Sequence, residues 1–163
     1  MSRTDLASRT SVEFQGSSAS WNEGSFRRIL VAFDGSEGSW KALRMGISLA
    51  WQHDAELWAL SVEESLPRFP ATVGEVREEK RLADSAYEEL HGRAMKLANA
   101  RGVTLRSAIL PGRAAPTILG YARQGGFDLI VLGGDVCPNV WKALVGTSNR
   151  VSRKADCSVL VVR

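Results

Sequence analysis

The sequence predicts a single α/β domain built around a doubly wound parallel sheet. Three observations lead to this prediction: short apolar runs of strand length alternate with helical patterns, several runs end on glycine or aspartate, and no segment repeats. Runs that are apolar at every position are typical of strands buried on both faces of a parallel sheet. A chain of 163 residues suits one well-buried domain and is too short for two ordinary ones. We therefore expect one Rossmann-like domain whose right-handed crossovers place helices on both faces of the sheet.

Five strands are predicted from this pattern. Three of them are mainly apolar runs, and the other two mix apolar and polar residues. Three of the five are followed by Asp, Gly or Pro, which favour a turn. In chain order they cover residues 29–33, 55–62, 103–110, 128–132 and 157–162. Residues 1–25 are rich in Ser and Gly without a sustained period, so we interpret them as a flexible tail. The domain then occupies residues 26–163.

Four helical patterns lie between the strands. Ser36 or Ser39 is expected to cap the first helix, and Trp40 and Trp51 to extend its apolar stripe. The second helix is the longest, at about residues 75–101. Its predicted buried face comprises Ala83, Ala86, Tyr87, Leu90, Ala94, Leu97 and Ala98. The remaining two are shorter, one between a Pro-Gly turn and a Gly-Gly terminus and one over residues 149–154.

The charge pattern, the length of the apolar runs and the two cysteines argue against a nucleic-acid-binding protein, a membrane protein and a disulfide-bonded protein. The net charge of +3 is dispersed among many acidic residues rather than gathered in a basic tract, which argues against nucleic-acid binding. No apolar run approaches the roughly 20 residues that cross a bilayer, so no membrane span is expected. Cys137 and Cys157 fall near opposite ends of neighbouring predicted strands, which disfavours a disulfide between them. We therefore expect a reduced, cytoplasmic protein.

Functional residues are expected beyond the ends of the first and fourth strands. In an open parallel sheet, ligands bind at the carboxyl ends of the strands where the strand order reverses. The candidates there are Asp34 after the first strand, Gly133 and Gly134 after the fourth, and the turn formed by Gly146, Thr147 and Ser148. Peptide N–H groups in such turns can bind an anion, although the glycines can equally be plain turns or helix caps. Asp34 can hydrogen-bond a ribose hydroxyl, hold a metal against phosphates, or cap the following helix.

Other kinds of site are excluded by their residue patterns. The DGSEGSW turn after the first strand satisfies neither the Walker P-loop nor the dinucleotide-binding G-x-G-x-x-G pattern. His53 and His91 are the only histidines, and both are predicted on polar helix surface, so neither a catalytic triad nor a histidine metal site can be assembled. Glu63 and Glu64 are adjacent at a strand end and point to opposite faces, so we interpret them as solvated loop acids.

Three stretches together resemble the universal stress protein family: VAFDGSEGSWKALRMGISLA, LPGRAAPTILGYARQGGFDLIVLGG and the ending CSVLVV. The resemblance implies a five-stranded parallel sheet in the order 3-2-1-4-5, usually in a homodimer, and an ATP-binding branch with the motif G-x2-G-x9-G-[ST]. It assigns Gly133, Gly146 and Thr147 to that motif, Asp34 to the acid that contacts the nucleotide, and Ala32 and Val62 to strand ends lining the adenosine pocket. Val136 stands at the middle glycine of the motif, where a β-branched residue disfavours the positive φ of a phosphate-binding turn.

The function predicted from these features is a stress-response protein that binds ATP or AMP, with Mg²⁺ accompanying ATP. It is expected to act by binding, with hydrolysis at most slow. One alternative is a homodimeric interaction module that has lost nucleotide binding through the altered loop at Val136. Another is an enzyme of adenylyl or phosphoryl transfer, for which no positioned Lys, Arg or His is identifiable.

The last strand predicts the assembly. It has apolar residues on both faces and no later element to cover its edge, a surface that proteins usually pair or block. We therefore expect a symmetric homodimer through this strand, with Val159 and Val161 near the axis.

Overall fold

A five-stranded parallel sheet lies at the centre of the computed structural model, which describes residues 24–64, 73–134 and 146–163. The strands are β1 (Arg28–Ala32), β2 (Glu56–Glu63), β3 (Leu105–Pro111), β4 (Leu129–Gly133) and β5 (Ser158–Val162). They pair in the order β3-β2-β1-β4-β5, and each neighbouring pair is parallel. The predicted fold class and strand order are confirmed.

Helices cover both faces of this sheet. Within the described ranges they are α1 (Glu37–His53), α2 (Val73–Asn99), α3 (Ala114–Gly125) and α4 (Thr147–Lys154). On one face α1 and α2 enclose an apolar cluster with the strands, and on the other face α3 and α4 enclose a second cluster. The sheet is therefore the middle of three layers.

The central strands explain why their sequences are apolar at every position. Val31 and Val131 belong to the cluster under α1 and α2, whereas Leu30 and Ile130 belong to the cluster under α3 and α4. All four side chains are fully buried. Because successive side chains on a strand point to opposite faces, a strand covered on both sides needs an uninterrupted apolar run.

The first helix approaches the sheet closely because of a glycine in its middle. A Cβ atom at Gly46 would lie 2.6 Å from Cγ2 of Val31 and 3.3 Å from Cδ1 of Leu57. A larger residue would push α1 away from β1 and β2. This close packing holds the middle of α1 against β1 and β2.

Some side-chain predictions on the helices are wrong. Trp51 is 70% exposed and does not extend the apolar stripe of α1, whereas Trp40 packs against the core. Ala86 on α2 is exposed as well. A helix of 27 residues is about 40 Å long and β3 only about 23 Å, so the first half of α2 extends past the sheet. The predicted limits of the strands and of α2 and α4 differ from the observed ones by one or two residues.

Several predictions fall on residues that the structure does not describe. The N-terminal tail is among them except for its last two residues, and so are Val136 and Cys137. Cys157 forms no disulfide with any described residue. In the described part of the chain, no helix combines the length and the apolarity that a membrane span requires.

Candidate functional site

A cavity of about 800 Å³ opens at the carboxyl ends of β1 and β4. The strand order reverses here, because β2 lies on one side of β1 and β4 on the other. Eight of the nine predicted site residues line it: Ala32, Asp34, Val62, Gly133, Gly134, Gly146, Thr147 and Ser148. The ninth, Val136, lies outside the described residues. The volume falls within the range of roughly 300–1,000 Å³ that is usual for small-molecule sites.

The β1 side of the cavity is a hydrogen-bonded turn that presents a carboxylate. Oδ1 of Asp34 accepts a bond from the peptide N–H of Ser36 at 2.9 Å. The cap of α1 is Ser36, whose Oγ accepts from the N–H of Ser39 at 3.2 Å. Burial acts to raise the pKa of Asp34, but hydrogen bonds from Ser36 and Ser39 outweigh it and hold the pKa below its usual value. Asp34 is therefore an ionised acid that orders the turn, and it is not the helix cap.

The opposite side of the cavity is formed by the end of β4 and the start of α4. Oγ of Ser148 donates to the carbonyl oxygen of Gly133 at 2.9 Å, so its hydroxyl proton is already engaged. Gly146 is the N-cap of α4 and has no side chain that can accept from the first turn. The peptide N–H groups of that turn are consequently the groups that an anion could use here, supported by the positive end of the helix.

The two glycines after β4 have a packing role in addition to any role in binding. A Cβ atom at Gly133 would lie 2.3 Å from the carbonyl carbon of Gly38 and 2.7 Å from the nitrogen of Ser39. At Gly134 it would lie 2.9 Å from Cγ1 of Val161. Real Cβ atoms do not approach other atoms this closely. The Gly-Gly pair therefore lets the first turn of α1 and the end of β5 contact the end of β4.

Residues of α2 and of the loop after β2 also line the cavity, a position that the sequence alone does not predict for them. Tyr87 lies on α2, and its pKa is raised by burial and by the nearby carboxylates of Glu63, Asp34 and Glu64. Glu64 is exposed but not merely solvated, since its Oε1 accepts from the N–H of Ala114 at the start of α3, at 3.0 Å. The sequence does not predict this contact, because Glu64 and the start of α3 are 50 residues apart and meet only in the folded protein.

The prediction for His91 is wrong, because its side chain is only 4% exposed. Nε2 of His91 lies 2.7 Å from Oγ of Ser61, and the same hydroxyl donates to the carbonyl oxygen of Phe33. A serine hydroxyl has a single proton, so the imidazole must donate Nε2–H to Ser61. Burial lowers the pKa of His91, which keeps the ring neutral near pH 7. This network ties α2 to the peptide just before Asp34.

The described lining of the cavity contains several hydroxyl groups but lacks some of the residue types that are common in catalytic and metal sites. Among its described lining residues there is no histidine, lysine or cysteine. In the ranges 24–64, 73–134 and 146–163, no three His, Cys, Asp or Glu side chains are grouped closely enough to hold a metal ion. The described part of the cavity has one acidic side and one side of peptide N–H groups.

This fold and this cavity define a class: doubly wound α/β proteins that bind a ligand at the strand-order reversal. The profile of the universal stress protein family matches residues 25–163, and the chain belongs to that family. It is 31% identical over 147 residues to the universal stress protein YxiE of Bacillus subtilis, covering 85% of this chain and 99% of that protein.

Solved structures agree with this assignment. The universal stress protein UspA from Lactobacillus plantarum superposes with a TM-score of 0.73 at 28% identity, over 85% of this chain and 99% of that one. A universal stress protein family protein from Arabidopsis thaliana with AMP bound gives a TM-score of 0.62 at 16% identity, over 83% and 90% of the two chains. At that identity the second comparison shows the shared fold alone.

Proposed function

We propose that this protein binds an adenine nucleotide, ATP or AMP, in the cavity between β1 and β4, and that it acts by binding rather than by turnover. The observation that carries the proposal is the convergence of Asp34, the Gly133-Gly134 pair and the start of α4 on one cavity at the strand-order reversal. The AMP complex of the Arabidopsis thaliana family member supports an adenine nucleotide as the ligand class.

The chemistry of the two sides suggests how a nucleotide would lie. Phosphate groups would bind the peptide N–H groups at Gly146, Thr147 and Ser148, where the helix field favours an anion by typically 0.3 to 1 kcal/mol. Asp34, held ionised by its hydrogen bonds, would accept from a ribose hydroxyl or share a Mg²⁺ ion with ATP. The base would then lie against Ala32 and Val62, which line the cavity and which the resemblance to the family assigns to the adenosine pocket.

Calorimetry with ATP, ADP and AMP tests the proposal. Wild type should bind with micromolar or weaker affinity, on the order of −8 kcal/mol at best, because Val136 replaces one glycine of the phosphate-binding motif. Gly146→Val should abolish binding by placing a side chain against the phosphates, and Val136→Gly should strengthen it. Gly92→Val is the matched control, since a Cβ atom there meets no other atom within 4 Å and Gly92 does not line the cavity.

Calorimetry can also contradict the nucleotide proposal. If wild type gives no heat with any of the three nucleotides at millimolar ligand, and Val136→Gly restores none, the cavity does not serve a nucleotide. The interaction-module function then takes its place. In either case we propose a reducing cytoplasmic setting, which fits the absence of a disulfide at Cys157 among the described residues.

We further propose a symmetric homodimer formed through the outer edge of β5. In the described part of the sheet, β5 pairs with β4 and with no other strand. The N–H of Ser158 donates to Asp128 and the carbonyl of Val162 accepts from Gly134, so even-numbered residues of β5 face β4. Since bonding alternates along a parallel strand, the backbone groups of Val159 and Val161 point outward. These are the groups that a second copy would pair with.

The dimer is tested by removing an outward N–H group. Val161 lines the cavity, so its substitution would perturb both proposals, whereas Val159 does not line it. Val159→Pro removes a donor from the free edge, a position where proline is tolerated. We expect wild type to sediment as a dimer at micromolar concentration, and Val159→Pro to sediment as a folded monomer that retains nucleotide binding. A wild type that stays monomeric across concentrations would contradict the proposal.

A further inference from the structure

The charges around the cavity are distributed unevenly. Asp34 and Glu64 line its β1 and β2 side. Arg163, directly after β5, lines the opposite side and is the sole cationic side chain among the described lining residues. A ligand with a negative end would therefore be repelled from one side and attracted to the other.

The position of Arg163 is fixed by the pairing of β5 with the end of β4. The N–H of Gly134 donates to the carbonyl oxygen of Val162 at 2.7 Å, which holds the end of β5 against the Gly133-Gly134 pair. Cγ of Arg163 lies 3.0 Å from the position that a Cβ atom on Gly134 would occupy. The arginine side chain therefore runs directly alongside Gly134, which itself lines the cavity.

The guanidinium group has no competing partner in the described part of the molecule. Arg163 is exposed, and none of the ion pairs among the described side chains includes its guanidinium group. By contrast, Arg123 on α3 is committed to Asp156 at 2.7 Å. Among the described residues, Arg163 is thus a cationic group at the cavity that no other side chain pairs with.

We propose that Arg163 is the specificity-determining residue that selects a phosphorylated over an unphosphorylated ligand. This inference rests on the proposed function, and it places the phosphate groups between Arg163 and the start of α4. A guanidinium forms charge-assisted and often bidentate bonds to phosphate, and it cannot lose its proton under ordinary conditions. Adenosine has no phosphate and gains nothing from Arg163, so the residue acts on the charge of the ligand and not on its base.

Titration of adenosine, AMP and ATP into wild type, Arg163→Ala and Arg163→Lys tests the inference. Arg163→Ala should weaken AMP and ATP binding by about tenfold to a hundredfold, the usual effect of losing a hydrogen bond between charged groups. Its adenosine affinity should stay within about twofold of wild type. Arg163→Lys should recover part of the loss, because it restores the charge without the bidentate geometry. Arg153→Ala is the control, since Arg153 is exposed on the last turn of α4 and does not line the cavity.

The outcomes separate the two proposals. If wild type binds none of the three ligands, the proposed function fails and takes this inference with it. If wild type binds all three and Arg163→Ala leaves AMP and ATP unchanged, the nucleotide site stands and the role of Arg163 is wrong. A parallel loss of adenosine and AMP affinity would likewise overturn it, because that result marks a structural effect without selectivity for phosphate.

Discussion

Gly133 shows how one residue can serve both the packing and the ligand site. A Cβ atom there would lie within 2.7 Å of three backbone atoms of Gly38 and Ser39, and backbone cannot rotate away as a side chain can. We expect Gly133→Ala to lower the free energy of unfolding by about 2 to 3 kcal/mol, the upper part of the range for overpacking. Urea denaturation measures this change.

The control for that variant is Gly120→Ala on α3. No atom lies within 4 Å of a Cβ built at Gly120, so alanine there should raise stability by roughly 0.5 to 1 kcal/mol through its better helix propensity. Equal unfolding free energies for the two alanine variants would contradict the close contact between β4 and α1.

The buried histidine makes stability depend on pH. Burial lowers the pKa of His91 in the folded state, so as pH falls the unfolded chain takes up the proton first. Stability should therefore decrease from about pH 6.5 down to the lower folded pKa, with a slope of at most about 1.4 kcal/mol per pH unit. His91→Gln can still donate to Ser61 and should lack this dependence.

Urea denaturation at pH 7.5 and 5.5 compares wild type with His91→Gln. The carboxylates contribute equally to both proteins, so the difference between their pH responses isolates the imidazole. Asp34, whose pKa is also lowered, loses its contribution in a more acidic window, below its unperturbed value of 3.8. Parallel pH profiles for the two proteins would show that the ring of His91 does not titrate with unfolding.

At the residue level, the sequence predicts most of the residues that line the cavity and misses the long-range contacts around it. Asp34, Gly133 and Gly146 were found because strand ends and small-residue turns leave a local signal. The charged neighbours of His91 predict a polar face for it, because its buried partner Ser61 is 30 positions away in the sequence. Tyr87 was correctly put on the inward face of α2, but the cavity it faces exists only after β1 and β2 have assembled.

The two halves of α2 should differ in local stability. Buried residues His91, Ala94 and Ala98 hold the second half against the sheet, whereas Leu82 in the first half is 59% exposed. A helix with few buried contacts opens locally at low cost. We expect backbone amides over residues 81–89 to exchange hydrogen at least about tenfold faster than those over residues 94–98.

Hydrogen exchange followed by mass spectrometry, with peptides that divide α2 near residue 90, checks this expectation. Uniform protection along the helix would mean that the first half is held by contacts other than those of the apolar cluster. The periodic pattern alone predicted one continuous buried face for this helix. It could not show where the sheet ends, because helix periodicity carries no information about the length of the strand beneath it.

At the scale of the whole molecule, the fold was predictable because local and global signals agree. Five strand-length segments alternate with helical patterns, and in a parallel sheet of this kind the helices that connect the strands cover both faces. The strand order is predicted by the resemblance to the family alone, because the sequence of a strand does not indicate which other strands it pairs with. The pairing of β5 with β4 brings Arg163 to the candidate site. The sequence does not predict this position, because the two strands are distant along the chain.

Ligand binding should be visible as a change in the stability of the entire domain. A ligand that binds only the folded state at 100 times its Kd stabilises that state by about 2.7 kcal/mol. For a domain of this size, each kcal/mol corresponds to roughly 2 to 4 °C, so ATP or AMP should raise the Tm by about 5 to 10 °C. Thermal unfolding across a nucleotide series measures the shift.

Gly146→Val should show no shift in Tm, because its site is blocked while its core is intact. A wild-type Tm that does not move at saturating nucleotide, despite heat in calorimetry, would show that the ligand does not favour the folded domain, and would contradict binding in this cavity.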